Sequence, residues 1–289
     1  MASTQQLKSR IRSVKSTKQI TKAMQMVAAS KMRRAQESVK ASEDYTNTAN
    51  ELLTFFASQG VTDRHPFFQE RTVKSRLLIV IAGDKGLAGA YNSNIAKTYI
   101  NELRDDKKNN IHTKSIAVGR KASQYAVRLN HTDILGVYEN LPDKPGANEL
   151  QAILDTAIAQ FESGVVDAVD VIYTKFISGM NQQVTVKRIL PAGFDETDVS
   201  DDVVNAVYEP NAEEVLRAVS YRLVLAQIFQ ALLDARASEH SMRMMAMKNA
   251  TDNASELADD LTLEMNKARQ GAITQELAEI SGGVEALSE

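Results

Sequence analysis

The sequence contains no cysteine and no tryptophan. The first absence removes disulfides, thiolate metal sites and cysteine nucleophiles at once, and it suits a reducing compartment. Long apolar runs are missing too. The longest, Leu77 to Ala82, falls far short of the ~20 residues a membrane-spanning helix needs, and the basic N-terminus lacks the apolar core of a signal peptide. The expectation is a soluble or peripheral protein. Histidine is scarce: His65, His112, His131 and His240 stand far apart, with no carboxylate or second histidine at ligand spacing. That pattern offers neither a metal site nor a Ser-His-Asp triad. Paired acids such as Asp201-Asp202 and Asp259-Asp260 read as solvated faces or caps. No residue set stands out as catalytic.

Glycine and proline are absent from residues 1–59 and again from residues 211–270, while all five prolines lie between Gly60 and Pro210. This divides the chain into a helix over 1–59, a globular middle over 72–195 and a second helix over 210–289. With 289 residues, 43% hydrophobic and 25% charged, there is enough apolar material for a real core. Ten methionines fit a helix-rich protein with adaptable surfaces.

From Leu216 the last segment carries an apolar stripe at alternating steps of three and four: Leu216, Val219, Leu223, Ala226, Leu233, Ala237, Met244, Met247, Ala254, Ala258, Leu261, Met265, Ala268 and Ala272, interrupted at Gln230, His240 and Thr251. Such a repeat over about eight heptads reads as one helix with a narrow seam, roughly 100 Å long. Pro210, Asn211, Glu213 and Glu214 suit its N-terminal end. A helix that long needs a partner along its seam. The first segment supplies one through Leu7, Ile11, Val14, Ile20, Met24, Val27, Ala28, Met32, Ala35 and Val39, and the expected arrangement is an antiparallel coiled coil.

Charge is distributed unevenly between the two. Residues 1–40 hold ten Lys or Arg against one acid, Glu37, a net of +9; residues 211–289 hold seven basic against thirteen acidic, a net of −6. Three readings fit the basic face: a solvated surface opposite an acidic partner helix, a site for nucleic acid or anionic lipid, or a surface wrapped by an acidic protein. No aromatic residue precedes Tyr45 on which a base could stack, which weighs against nucleic acid.

The middle alternates in the βα manner: strands over 76–82, 114–118, 134–138, 168–176 and 183–190, with helices over 87–104, 121–129 and 147–163. This predicts an α/β domain with a small, mainly parallel sheet. The link Ile177 to Gln182 is too short for a helical crossover, so the last two strands should pair antiparallel. The exit of the first strand, Gly83-Asp84-Lys85-Gly86-Leu87-Ala88-Gly89, resembles a nucleotide loop, but its spacing is G-x-x-G-x-x-G, neither the dinucleotide fingerprint nor a P-loop. Gly119, Arg120 and Lys121 stand where a ribose-binding acid would be expected. Glycines that let a helix pack tightly on the sheet explain the loop with no nucleotide and no cofactor.

Three stretches carry a family resemblance: IRSVKSTKQITKAMQMVAASKMRRAQ (Ile11 to Gln36), GDKGLAGAYNSNI (Gly83 to Ile95), and SEHSMRMMAMKNATDNA with NKARQGAITQELAEISGG (Ser238 to Ala254, Asn266 to Gly283). They resemble the γ subunit of F-type ATP synthase, and the resemblance spans the whole chain. It implies a coiled coil of N- and C-terminal helices carrying a Rossmann-like domain without nucleotide. It also implies a rotor inside a ring of α and β subunits, contacting ε and the membrane ring of c subunits, one copy per complex, non-catalytic itself. The family's shaft contacts map onto Lys22 and Met24 of the first helix and Arg269, Gln270, Thr274 and Glu276 of the last; an antiparallel pair is expected to bring residues near 24 and near 270 to one level. Lys18-Gln19 reverses the order in many relatives, and Val284 replaces a usual alanine near the tip. The cysteine-bearing regulatory insertion of photosynthetic relatives is absent. Family motifs beginning close to Met1 leave no room for a transit peptide, which points to a bacterial plasma membrane. An enzyme using the Gly83 loop would instead bind nucleotide as an isolated chain, and a nucleic-acid coil would bind DNA in a salt-sensitive way through residues 1–40.

Overall fold

The computed structural model describes residues 4–129, 133–142, 147–193, 197–209 and 211–288, with side chains except at 39–47, 64, 147, 148, 279 and 282–288. Helix α1 (Thr4–Ser58) runs through the first breaker-free segment. It stops at Gly60 (φ +70°), where Gly60 N–H donates to Ala57 C=O and Val61 N–H to Phe56 C=O at 2.9 and 3.0 Å. These two bonds form the Schellman closure that a left-handed glycine permits. Helix α6 (Ala212–Ser288) occupies the last segment. Asn211 Oδ1 accepts from Glu214 N–H at 2.9 Å, and Glu213 and Glu214 sit in the first turn, so side-chain capping and acidic charge both favour this helix start. Pro210 lies outside the described residues.

Between them lie β1 (Ser75–Ile81), α2 (Tyr91–Lys108), β2 (His112–Val118), α3 (Arg120–Arg128), β3 (Asp133–Tyr138), α4 (Ala147–Glu162), β4 (Ala168–Phe176), β5 (Gln182–Leu190) and a short α5 (Asp201–Val204). The sheet order is β3-β2-β1-β4-β5. β1 pairs parallel with β2 and β4, β2 parallel with β3, and β5 antiparallel with β4, as the short link before β5 requires. Helix α2 begins four residues later than the expected Leu87, because Leu87 and Gly89 adopt φ of +58° and +56°. Left-handed residues cannot belong to a right-handed helix.

Two cores sandwich the sheet. Leu78, Val80, Ala117 and Ile172 pack with Tyr91, Ile95 and Tyr99 of α2 and Ala122 and Ala126 of α3. Leu77, Ile79, Ile116, Val169 and Val171 face the other way, against Leu150, Leu154 and Phe161 of α4. Here the structure adds to the narrow seam expected of α6: Val224, Ile228, Ala231, Leu232 and Ala235 join this second core. Helix α6 is therefore a sheet-covering helix as well as a coil partner. The pairing with α1 uses other residues, Leu216 and Leu223 beside Ala49, Leu53 and Phe56. A stretch of α6 is long and apolar enough by composition to cross a membrane, with 44% of it buried inside the protein.

Tyr173 on β4 is buried, and that burial, with the nearby charge of Asp234, pushes its phenol up from the ordinary 10.0 to about 12. A raised folded-state value means the stabilisation is complete below pH 10.0 and lost as pH climbs towards 12. Replacing Tyr173 by phenylalanine should therefore flatten the alkaline fall in the urea midpoint. An equally steep fall in the variant would assign the alkaline loss to other groups.

By the density of contacts along the chain, two compact units form, Met1–Ala28 with Arg243–Glu289, and Ala29–Met242.

Candidate interaction site

Within the first unit the two helices run antiparallel, and polar contacts fix their register. The hydroxyls of Thr21 and Thr251 hydrogen-bond at 2.8 Å, and both residues are buried. Lys18 Nζ donates to Ser255 Oγ at 2.8 Å. Further along, Leu7 and Ile11 bury against Leu261, with Val14, Met265 and Ala268 beside them. Each hydroxyl also reaches a carbonyl of its own helix, Lys18 C=O at 3.1 Å and Met247 C=O at 2.7 Å, and in this register the two hydroxyls meet as well, which favours this alignment of a seam of small residues. Thr251, an interruption of the sequence stripe, is thus a seam residue.

This register corrects the expected meeting of residues near 24 with residues near 270. With Thr21 opposite Thr251, Met24 lies at the level of Lys248, and Gln270 stands about 22 residues and roughly 33 Å further along. Antiparallel direction alone does not set alignment; the hydroxyl pair does. Lys22 and Met24 therefore form one locus, and Arg269, Gln270, Thr274 and Glu276 another. Lys22 is exposed and reaches Gln25 Oε1 at 3.2 Å; Met24 is half-buried. The four C-terminal residues are all exposed, with Thr274 Oγ1 donating to Gln270 C=O at 2.9 Å.

The exposed faces of this unit are chemically distinct. Lys8, Arg10, Arg12, Lys15, Lys18 and Lys22 all point to solvent, and Lys18 and Lys22 contact a hydroxyl and an amide rather than carboxylates. Ile20 and Val27, expected on the apolar face of α1, are exposed, as is Met26. Beyond Ala268, which is level with Thr4 on α1, the apolar residues Ile273, Leu277 and Ile280 are 50, 59 and 65% exposed. Val284 lies outside the described side chains. Without partners, the last turns of α6 should exchange amide hydrogens at least about a hundredfold faster than residues 247–261 in the isolated chain. Uniform strong protection along α6 would contradict this.

In the second unit, the carboxyl ends of β1 and β4 form the switch point where doubly wound sheets bind ligands. Helix α6 fills it. A Cβ at Gly83 would stand 2.9 Å from Glu239 Oε1, so glycine leaves room there for a carboxylate carried by α6. Arg236 pairs with Asp84 and Glu239, each at 3.6 Å, and its NH2 donates to Leu141 C=O at 3.0 Å. Asp84 Oδ1 accepts from the backbone N–H of Arg120 and Asn140 at 2.9 and 3.1 Å. Gly119 (φ +93°) brings the start of α3 so close that a Cβ would sit 2.1 Å from Ala82 C=O. The loop is thus stitched to its neighbours by the chain's own groups. Sequence reading missed Arg236 and Glu239; the signal was four ionisable residues, Asp234, Arg236, Glu239 and His240, crowded into two turns of a helix that also carries the core.

Among the described residues no group of three or more His, Cys, Asp or Glu is placed to hold a metal ion. His65 Nδ1 accepts from Phe67 N–H, His240 is buried on α6 and His112 opens β2; His131 lies outside the described residues.

The sequence profile of the ATP synthase family matches residues 3–287. The ATP synthase gamma chain of Macrococcus caseolyticus is 40% identical over 287 residues, covering 99% of this chain and all of the relative. That of Staphylococcus saprophyticus is 38% identical over 288 residues with the same coverage. Among solved structures, the rotor of Euglena gracilis mitochondrial ATP synthase aligns with a TM-score of 0.66 at 16% identity, covering 93% of this chain and 98% of that one. The central stalk and c-ring structure of the Tetrahymena thermophila mitochondrial enzyme aligns at 0.59 and 24%, covering 80% and 99%. At these identities the structural matches speak for the fold.

Proposed function

We propose, since this chain belongs to the ATP synthase gamma-chain family and is thereby a central-stalk subunit, that it is the rotor of an F-type enzyme. It turns with a membrane ring of c subunits driven by protons or sodium ions. Its coil lies inside a ring of α and β subunits and its base meets ε, one copy per complex, peripheral on the cytoplasmic face of a bacterial plasma membrane. The observation that carries this is full-length identity of 38–40% with gamma chains.

Surface chemistry agrees with the reading. Exposed Ile273, Leu277 and Ile280 form an apolar stripe at helical spacing that a surrounding ring would cover. The cations of α1 suit acidic loops on that ring better than a base-stacking ligand. Lys22 and Met24 are proposed to touch the ring at one level, and Arg269, Gln270, Thr274 and Glu276 at another. In functional terms residues 1–59 and 210–289 are assigned to the coiled coil and 72–195 to a Rossmann-like α/β domain without nucleotide. The shaft makes no bond itself: each orientation favours one conformation of a β site by differential contacts, and so shifts its affinity for ADP, phosphate and ATP.

The test is deletion and complementation in bacterial membranes. ATP hydrolysis and ATP-driven ion pumping should both depend on this chain, while the purified chain alone hydrolyses nothing. Full pumping in its absence, or salt-sensitive DNA binding by the purified chain with no effect on pumping, would overturn the rotor reading.

A further inference from the structure

The cluster joining Asp84, Arg236 and Glu239 is an expensive way to attach a helix to a sheet. The side chains of Arg236, Asp84 and Glu239 are only 12, 13 and 5% exposed, and replacing such buried charges by apolar groups of similar size is often neutral or stabilising. The neighbouring attachment of α6 is already apolar, through Val224, Ile228, Ala231, Leu232 and Ala235. Apolar packing resists separation, but it is non-directional, and a helix seated only by such contacts can rotate or slide by a rotamer change. The hydrogen bond from the Arg236 guanidinium to Leu141 C=O is directional, and the ion pairs with Asp84 and Glu239 at 3.6 Å hold the guanidinium on that side.

The connections of this cluster are unusually wide for two side chains. Arg236 reaches Asp84 after β1, Leu141 C=O beyond β3 and Glu239 one turn along its own helix. Asp84 holds the N–H of Arg120 at the start of α3 and of Asn140 beyond β3, and Arg120 NH2 donates to Asn140 Oδ1 at 3.1 Å. One arginine of α6 is thereby tied to the ends of three adjacent strands. Gly83 brings the Glu239 carboxyl into the same spot.

We propose that Arg236 is a positioning residue that locks α6 against rotation about its own axis on the α/β domain, with Asp84 as its anchor and Glu239 as its orienting partner. Resting on the rotor reading, this lock is the point where torque passes between the domain and the C-terminal helix. It occupies the crevice where relatives of this sheet architecture hold a ligand, and so converts a binding site into a joint.

Two variants test it in the full chain and in the assembled complex. Arg236→Met keeps the length and removes every polar contact. Asp84→Asn keeps an oxygen for the Arg120 and Asn140 N–H groups and removes the ion pair. In the purified chain, Arg236→Met should lower the unfolding transition, because it leaves the Asp84 and Glu239 carboxylates buried without their cation, while amide exchange at Arg120 and Asn140 rises at least about tenfold more than at the core amides of β1 and β4. In membranes both variants should hydrolyse ATP yet lose ions pumped per ATP against an opposing gradient, and Arg236→Lys should restore part of that ratio. Unchanged exchange at Arg120 and Asn140 in Arg236→Met, or an unchanged pumping ratio in both variants while the parent pumps, overturns the lock and leaves the rotor reading standing. A parent complex whose pumping does not depend on this chain overturns the rotor reading, while the exchange result still decides the lock.

Discussion

Replacing Arg76 by alanine should lower the stability of the α/β domain by about 3–5 kcal/mol. Arg76 lies on β1 with its side chain 11% exposed. Its Nε donates to Asp106 Oδ2 at 2.9 Å, NH1 to Asp170 Oδ2 at 3.2 Å and NH2 to Glu102 Oε2 at 2.7 Å. Burial works against the guanidinium charge, yet Glu102, Asp106 and Asp170 outweigh it and raise the arginine above its ordinary value. The truncated variant leaves Asp106 and Asp170 buried; Asp170 keeps Arg188, and Asp106 keeps the hydroxyl of Thr113. An unpaired buried carboxylate takes up a proton more readily, so the deficit should shrink as pH falls. Urea unfolding at neutral and mildly acidic pH checks both statements. A loss under about 1 kcal/mol would mean that solvent or rearranged partners replace Arg76 freely.

What the sequence makes legible follows from the range of each signal. Strands such as Leu77 to Ile81 announce themselves by unbroken burial, and Ile177 to Gln182 by being too short for a crossover; the turn there closes through Asn181 N–H to Ser178 C=O. Both are local. The second role of α6 is hidden because Val224, Ile228 and Leu232 form another helical face overlaid on the stripe through Leu216 and Leu223, and two faces on one helix blur a single period. The lock between Asp84 and Arg236 is invisible for a further reason: its members are distant in the chain, and neither carries a local pattern that points to the other. Register fails in the same way. Direction could be read from topology, whereas alignment rests on two polar pairs, Thr21 with Thr251 and Lys18 with Ser255, among many candidates.

The threonine-set alignment shapes what a charge at position 24 should do. Met24 is half-buried at the level of Lys248, beside exposed Lys22 and close to exposed Ile20 and Val27. A lysine there can run its stem along the seam and place its ammonium in solvent, so Met24→Lys should leave the helix pair and assembly of the complex intact. In the rotor reading the new cation meets acidic loops of the ring. Exposed pairs are individually weak, about 0–1 kcal/mol, which lets the resident cations break and remake contacts at each step. An ammonium partly shielded by the surrounding ring gains more from the same partner, because attraction rises as the effective dielectric falls. Such a pair stabilises some shaft orientations and not others, and so raises the barrier between them. The expected outcome is ATP hydrolysis with impaired ion pumping in membranes carrying Met24→Lys, and near-parental coupling with Met24→Ala. Because the second locus lies roughly 33 Å away, the effects of Met24→Lys and Gln270→Ala on coupling should add to within about 0.5 kcal/mol. Strong non-additivity would show that the two loci act on one β subunit contact, and as many ions pumped per ATP by Met24→Lys as by the parent would remove position 24 from the shaft contact altogether.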